Sequence, residues 1–180
     1  MTVIVYRSGV LASDSLSSWD WEVGTTFVSK ISLSKNGWAY AFTGQTSSCV
    51  KAHKLYEKGF DPNKNPNDNK KEDTGKIAGL AVSWRDEVLM LGDDGWYPIE
   101  SEYCAIGSGG PYATGALAAG ASATLAVEIA IKHNPFCGGS IVVACPEEPK
   151  KKCANNPKRH SFTKSKKSTN KKRLKKIHGK

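Results

Sequence analysis

Short runs of β-branched and aromatic residues alternate with polar turns at the start of the chain. The runs at 3–6 and 10–12 flank a Ser-Gly turn, and the alternating segment 27–34 precedes a Lys-Asn-Gly turn and the run 38–42. Apolar runs of this length, separated by glycine-containing turns, are typical of antiparallel hairpins. The pattern therefore predicts two successive β-hairpins, with 27–34 as one continuous strand.

The rest of the chain mixes helices with further strands. Thr46 or Ser47 can cap the start of a helix that runs to Gly59, because a hydroxyl can accept from the free N–H groups of a first helical turn. The later pattern predicts strands at 77–84, 87–91 and 141–144, an alanine-rich helix after Gly110 and a second helix starting at Ala121 and Ser122. Strands in antiparallel runs and helices in separate runs indicate the α+β class, in which helices cover the outer faces of two stacked sheets.

The positive charge is concentrated at one end of the chain. The net charge is +9, but the segment 150–180 contains 14 Lys and Arg residues and no Asp or Glu. The remaining residues carry 12 Lys and Arg against 17 Asp and Glu, so they are mildly acidic. The excess charge therefore indicates a basic tail and not a basic folded domain.

This division predicts a folded domain at 1–146 and a disordered Lys-rich tail at 147–180. Lysine-rich segments bind phosphate backbones without sequence specificity and in a salt-dependent way. Lys150, Lys166 and Lys172 are therefore candidate contacts to a nucleic acid or an acidic partner. A solubilising appendage is the alternative interpretation of the tail.

The cysteines and the apolar segments indicate a soluble cytoplasmic protein. The five cysteines have no CxxC spacing and predict free buried thiols, with no metal and no cofactor. The apolar run at the N-terminus is too short for a signal peptide, and no later segment approaches the roughly 20 apolar residues of a membrane span.

A glycine-rich loop, Gly107-Ser108-Gly109-Gly110, follows a short apolar run and precedes the alanine-rich helix. Such a loop invites a phosphate-binding interpretation. A P-loop, however, requires a Lys-Ser/Thr pair at the start of the helix, and no basic residue occurs in 107–122. The loop therefore does not match a nucleotide site.

The segment 105–143, AIGSGGPYATGALAAGASATLAVEIAIKHNPFCGGSIVV, carries a resemblance. Together with Thr2, Asp14, Lys30 and Gly44 at matching spacings, it resembles the proteasome β-subunit and HslV group of N-terminal nucleophile hydrolases. The resemblance covers about 2–144, and it implies a four-layer αββα sandwich. Taken singly, each of the four landmark residues also has an ordinary structural interpretation. Thr2 could be a tolerated residue after the initiator Met, and Asp14 could stabilise a turn. Lys30 could be a solvated strand residue, and Gly44 could be a turn glycine.

The resemblance implies that Thr2 becomes the first residue after Met1 is removed. An unactivated hydroxyl needs a base, and an α-amino group with a pKa near 7.7–8.0 is suited to that role. In this mechanism the Thr2 hydroxyl attacks a peptide carbonyl and its own amine relays the proton. Lys30 lowers the proton affinity of both groups, Asp14 holds Lys30, and the Gly44 N–H stabilises the oxyanion.

The same resemblance implies that Ser108 and the Gly109 backbone lie beside the Thr2 amine. The chain departs from the D-x-x-S-G-G pattern of the family, since Asn134 replaces the Asp and Cys137 replaces the Ser. An amide cannot stabilise an ammonium as a carboxylate does, and a thiol is a weaker hydrogen-bonding group than a hydroxyl. These two supporting positions predict weakened activity.

Three functions follow from these features. The first is a threonine endopeptidase that acts on polypeptides, assembles as a homo-oligomeric ring and is served by an ATPase unfoldase. The second is an inactive ring or scaffold whose basic tail binds nucleic acid or an acidic partner. The third is a nucleic-acid-binding protein that depends on the tail alone.

Overall fold

Eleven strands and three helices follow one another in the part of the chain that the computed structural model describes, residues 2–19, 22–68 and 75–149. The strands are β1 (Ile4–Arg7), β2 (Val10–Ser13), β3 (Leu16–Trp19), β4 (Glu22–Phe27), β5 (Ile31–Leu33), β6 (Trp38–Thr43), β7 (Ala78–Ser83), β8 (Val88–Gly92), β9 (Gly95–Pro98), β10 (Tyr103–Ile106) and β11 (Val142–Ala144). The helices are α1 (Thr46–Leu55), α2 (Gly110–Ala118) and α3 (Ala123–His133).

The first sheet has the antiparallel order β10-β1-β2-β11. Side chains alternate between the two faces of a strand, so the apolar run around β1 supplies both faces. Val3 and Val5 pack in a cluster with residues of α2 and α3. Ile4 and Tyr6 pack on the opposite face, against the second sheet. Both faces of this sheet are therefore buried.

The second sheet has the antiparallel order β5-β6-β7-β8-β9. Its inner face contributes Ala39, Ala41 and Leu80 to the core between the sheets. Its outer face contributes Tyr40 and Phe42 to an aromatic cluster with α1. The large rings on this face fill the space between helix and sheet.

The layer order is therefore α2 and α3, first sheet, second sheet, α1. The predicted α+β class with helices outside two stacked antiparallel sheets is confirmed. Apolar side chains fill the three spaces between these four layers. Their burial, at about 25 cal/mol per Å², supplies the main driving force for this arrangement.

The segment 27–34 is not one strand, so that prediction was wrong. Strand β4 ends at Phe27 and β5 begins at Ile31. The alternation also fails as a guide to burial, because Phe27 and Leu33 are 62% and 63% exposed. The break between the strands lets Lys30 turn into the protein, where it is only 8% exposed. The strand is therefore interrupted where the Lys30 side chain is buried beside Asp14.

Two further differences from the predicted elements concern the segments on either side of this break. The hairpin β3–β4 was not predicted, because its sequence lacks a clean alternation of apolar and polar residues. Helix α1 is preceded by Gln45, whose side chain makes no capping hydrogen bond. Thr46 and Ser47 lie inside the first turn, so their prediction as N-caps was wrong. The helix ends at Leu55.

The basic tail falls almost wholly outside the described residues, which end at 149. Lys150, Lys166 and Lys172 lie beyond that point, so the domain boundary and the role of the tail stay predictions.

Within the described ranges, no helix is long and apolar enough to cross a membrane. In the same ranges, no cluster of three or more His, Cys, Asp or Glu side chains is arranged to hold a metal ion.

Candidate active site

The β1–β2 hairpin brings Thr2 and Asp14 together. Thr2 lies just before β1 and Asp14 just after β2, and the register pairs Ile4 with Ser13. In an antiparallel hairpin the start of one strand is beside the end of the other. The Asp14 N–H donates to the carbonyl of Val3 at 3.3 Å, which continues the pairing beyond the strand ends.

The Asp14 carboxylate is the centre of the site. It is fully buried, and its Oδ1 accepts from Lys30 Nζ at 2.7 Å, from the Val3 N–H at 3.0 Å and from the Thr2 hydroxyl at 3.2 Å. Its Oδ2 accepts from the Gly138 N–H at 3.1 Å. A carboxylate removed from water is costly unless it is paired and hydrogen-bonded, and here both oxygens are occupied.

Lys30 provides the positive charge of this cluster. Burial lowers the pKa of the Lys30 ammonium, and the charge and hydrogen bond of Asp14 oppose that shift. The ammonium and the Thr2 hydroxyl contact the same carboxylate oxygen. The Lys30 charge favours an ionised oxygen on Thr2, whereas the Asp14 carboxylate that accepts from the hydroxyl disfavours it.

The glycine-rich loop holds the backbone of Thr2. The Thr2 N–H donates to Ser108 Oγ at 3.2 Å, and the Thr2 carbonyl accepts from the Gly109 N–H at 3.2 Å and from Ser108 Oγ at 3.4 Å. Ser108 therefore lies at the Thr2 nitrogen, whereas the Gly109 N–H is bound to the carbonyl. The loop fixes residue 2 through both of its backbone polar groups.

The close approach of this loop requires glycine at position 107. Gly107 has φ +92°, and a Cβ built there would collide with the Thr2 carbonyl. The left-handed conformation alone disfavours any other residue. The same residue therefore makes the turn and leaves room for the backbone of Thr2.

Replacing Gly107 with alanine is expected to lower the free energy of unfolding by about 2 kcal/mol or more, because strain and collision add. Gly115→Ala is a matched control in α2, since a Cβ there meets nothing within 4 Å. That change should raise stability by about 0.5–1 kcal/mol. Urea unfolding of both variants measures the difference, and equal values would contradict the role given to the loop.

Gly44 follows β6 at the rim of a cleft that also contains Thr2 and Lys30. Its φ is +136°, and a Cβ built there would come within 3.0 Å of Ile77 and 3.1 Å of the Lys76 carbonyl. The cleft is lined by Thr2, Leu16, Ser17, Val28, Ser29, Lys30, Phe42, Thr43, Gly44, Thr46, Cys49, Val50 and His53. Thr2, Lys30 and Gly44, which are far apart in sequence, thus face one open space.

Asn134 forms the turn after α3. Its backbone N–H donates to the Ala130 carbonyl at 2.9 Å, its side-chain oxygen accepts from the Phe136 N–H at 3.0 Å, and its carbonyl accepts from the Cys137 N–H at 3.0 Å. None of the hydrogen bonds found for Asn134 within the described ranges reaches Thr2. The side chain at this position shapes the loop that carries Cys137 and the Gly138 N–H.

Cys137 packs beneath the glycine-rich loop. It is 4% exposed, and its Sγ lies 4.0 Å from Ser108 Oγ. Burial raises the pKa of the Cys137 thiol, and the negative charge of Asp14 adds to this effect. His133, the last residue of α3, stacks its ring on Tyr112 at 6.0 Å and so occupies the helix surface.

Two features of the site were not foreseen from the sequence. The Gly138 N–H binds Asp14, which makes the Gly-Gly pair part of the site and not only a turn before β11. Cys49 and His53 line the cleft as well. Their spacing of four residues places both on one face of α1, but the spacing alone does not show whether that face borders a cleft or the core.

The four layers correspond to the N-terminal nucleophile hydrolase fold. No protein-family model matches the chain, and no curated protein matches it in sequence. Solved structures do match, among them BPH from Thiobacillus denitrificans in complex with epoxomicin, with a TM-score of 0.60 and 19% identity over 79% of this chain and 96% of that one.

A second structure of Thiobacillus denitrificans BPH gives a TM-score of 0.59 with 18% identity over 79% of this chain and 95% of that one. Eukaryotic HslV from Trypanosoma brucei gives a TM-score of 0.57 with 17% identity over 79% of this chain and 97% of that one. The resemblance to the HslV group is thereby confirmed at the level of the fold.

Proposed function

We propose that this chain is a threonine-type endopeptidase in which Thr2, freed of Met1, is the nucleophile. The observation that carries the proposal is the shared carboxylate oxygen: Asp14 Oδ1 binds both the Thr2 hydroxyl and the Lys30 ammonium. A hydroxyl held beside a buried cation at the edge of a cleft has the arrangement that nucleophilic catalysis requires.

In the proposed first step, the Thr2 hydroxyl oxygen forms a bond to the carbonyl carbon of the substrate. Its proton passes to the free α-amine of Thr2, and the carbonyl oxygen becomes an oxyanion that accepts from the Gly44 N–H. An oxyanion donor such as the Gly44 N–H is worth about 3–4 kcal/mol in related sites. The Lys30 charge stabilises the ionised threonine oxygen.

In the second step, the tetrahedral intermediate collapses and the α-ammonium gives its proton to the leaving amine. The resulting ester on Thr2 is hydrolysed by water, with the amine again acting as base. Ser108 accepts from the Thr2 nitrogen at 3.2 Å and so orients that group. Asp14 acts as a positioning residue, because it contacts Thr2 and Lys30 and not the substrate.

The similar structures support the same assignment. Thiobacillus BPH binds epoxomicin, and we propose that this chain binds it in the cleft beside Thr2. The proposal extends to polypeptide substrates, a homo-oligomeric ring, an ATPase partner and a cytoplasmic location, as the resemblance to the HslV group implies.

The N-terminus provides the test. The chain is produced once as a fusion whose cleavage exposes Thr2, and once with Met1 retained, and intact mass verifies both. We expect hydrolysis of fluorogenic peptides and covalent labelling by epoxomicin only with Thr2 first, because an amide nitrogen cannot act as the base. An unlabelled chain that begins at Thr2, with native circular dichroism, would contradict the proposal. Equal labelling of both chains would also do so.

A second candidate function rests on Asn134. Its hydrogen bonds, within the described ranges, serve a turn, whereas the family pattern has a carboxylate at this position. An inactive ring or scaffold with a nucleic-acid-binding tail would show no labelling together with salt-sensitive RNA or DNA binding. That binding would disappear when 150–180 is deleted.

A further inference from the structure

The cleft beside Thr2 is predominantly apolar and large enough for a big side chain. Its cavity volume is about 120 Å³. Val28, Phe42 and Val50 are among its walls, and Cys49 and His53 are contributed by α1. An apolar recess next to a nucleophile is the natural site for the substrate side chain that adjoins the scissile carbonyl.

This recess is electrically neutral at neutral pH, apart from one compensated pair. No Asp or Glu belongs to its described lining, and its one lysine, Lys30, is paired with Asp14 at 2.7 Å. Burial raises the pKa of the Cys49 thiol to about 11, so the thiol stays protonated. Burial also lowers the pKa of His53 below its usual value, so the imidazole is uncharged. Basic and acidic side chains would lose hydration here without gaining a partner.

His53 adds an imidazole to the polar groups of this cleft, which also include the hydroxyls of Ser17, Ser29, Thr43 and Thr46. Its Nδ1 lies 3.0 Å from Ser32 Oγ, and its ring packs against Tyr40 at 5.6 Å and edge-on against Phe42 at 5.1 Å. These contacts fix the imidazole plane. Within the described ranges no hydrogen bond engages Nε2, the ring nitrogen that remains for a ligand.

A phenol matches this combination of groups. Its ring is apolar, and its hydroxyl can either donate or accept, so it suits Nε2 in either tautomer of a neutral imidazole. We propose that the cleft selects tyrosine as the residue on the acyl side of the scissile bond. In this arrangement the ring lies among Val28, Phe42 and Val50 and the hydroxyl binds His53 Nε2. The inference rests on the proposed function, because it assigns a substrate class to the same site.

Phenylalanine is the most informative competitor. It fills the same apolar space but leaves Nε2 without a partner, and one hydrogen bond of this kind corresponds to about tenfold in binding. We therefore expect kcat/KM to be about tenfold higher for tyrosine than for phenylalanine, and lower for arginine and glutamate than for either.

The test uses the chain that begins at Thr2 and four fluorogenic tetrapeptides that differ only in the residue before the scissile bond: tyrosine, phenylalanine, arginine and glutamate. His53→Leu should bring the tyrosine-to-phenylalanine ratio close to one, and His53→Gln, which keeps a polar tip, should retain part of the preference. Ser32→Ala removes the hydrogen bond that orients the His53 ring and leaves the imidazole in place, so it should lower the tyrosine-to-phenylalanine ratio about threefold. It also keeps the inference testable if the His53 variants do not fold.

Covalent labelling by epoxomicin first measures the fraction of chains whose Thr2 is reactive. An unlabelled wild-type chain contradicts the proposed function itself. A labelled chain whose tyrosine-to-phenylalanine ratio is near one contradicts the inference about the cleft alone. So does a ratio that a folded, labelled His53→Leu variant leaves unchanged, since the imidazole would then have no part in selection.

Discussion

Replacing Thr2 with alanine is expected to lower peptide hydrolysis at least about a thousandfold, because no other group can form the proposed ester. The substitution removes Oγ1 and Cγ2 and leaves the backbone N–H and carbonyl that the loop at Ser108 and Gly109 holds. Only the 3.2 Å hydrogen bond to Asp14 is lost, and three other donors remain on that carboxylate. Stability should therefore change by about 1 kcal/mol at most.

Thr2→Ser is the matched control, since it keeps the hydroxyl and the nitrogen and removes a methyl group. It should hydrolyse the same peptides at a rate far above that of the alanine variant, and epoxomicin should label it. Rates are measured on chains whose mass shows that Met1 is absent. Residual hydrolysis by Thr2→Ala close to the wild-type rate would assign the reaction to another group or to a contaminant.

The pairing of Thr2 with Asp14 was accessible from the sequence, because two short apolar runs around a Ser-Gly turn dictate a hairpin. A hairpin places the residue before its first strand next to the residue after its second. The position of Lys30 was much harder to infer from pattern. Its segment alternates like a strand, yet the chain breaks between Phe27 and Ile31 because pairing the ammonium with a buried carboxylate outweighs β-propensity.

The contacts made by Gly138, Cys49 and His53 lay beyond sequence reasoning for a different reason. The Gly138 contact requires β11 to pair with β2, which is distant in the chain, within the first sheet. Cys49 and His53 border the cleft beside Thr2 only after the two sheets stack. Glycine at position 138 could equally serve a turn, and a helix face with Cys and His could equally face the core. Only the tertiary arrangement shows that the Gly138 N–H faces Asp14 and that α1 borders the cleft.

Asn134 stands where the family pattern has a carboxylate, and its side chain closes a local turn. The resemblance implies that this position acts on the Thr2 amine, whereas its hydrogen bonds in the described ranges are local and close the turn before Cys137. The amide oxygen accepts from the backbone N–H two residues on, as Asn commonly does in turns. The same turn carries the Gly138 N–H to Asp14, so Asn134 supports the site through the backbone.

Replacing Lys30 with methionine is expected to have the largest effect on folding. The side chain keeps its approximate length and loses its charge, which leaves Asp14 fully buried without the cation 2.7 Å away. Breaking a buried pair by removing one partner costs about 3–5 kcal/mol, because the remaining charge is uncompensated. Peptide hydrolysis should fall as well, by about a hundredfold or more, since the proposed stabilisation of the Thr2 oxygen is lost.

Lys132→Met is the control for that change, because it removes the same charge from an ion pair of similar length in an exposed setting. Lys132 lies 2.9 Å from Glu128 on α3, with side chains 64% and 49% exposed. Water screens such pairs, so its loss should cost no more than about 0.5 kcal/mol and leave hydrolysis unaffected. Urea unfolding of both variants gives the comparison.

The double variant Asp14→Asn, Lys30→Met should unfold at a higher urea concentration than Lys30→Met, since it no longer buries a lone carboxylate. Equal midpoints for these two variants would contradict burial of the charge as the cause.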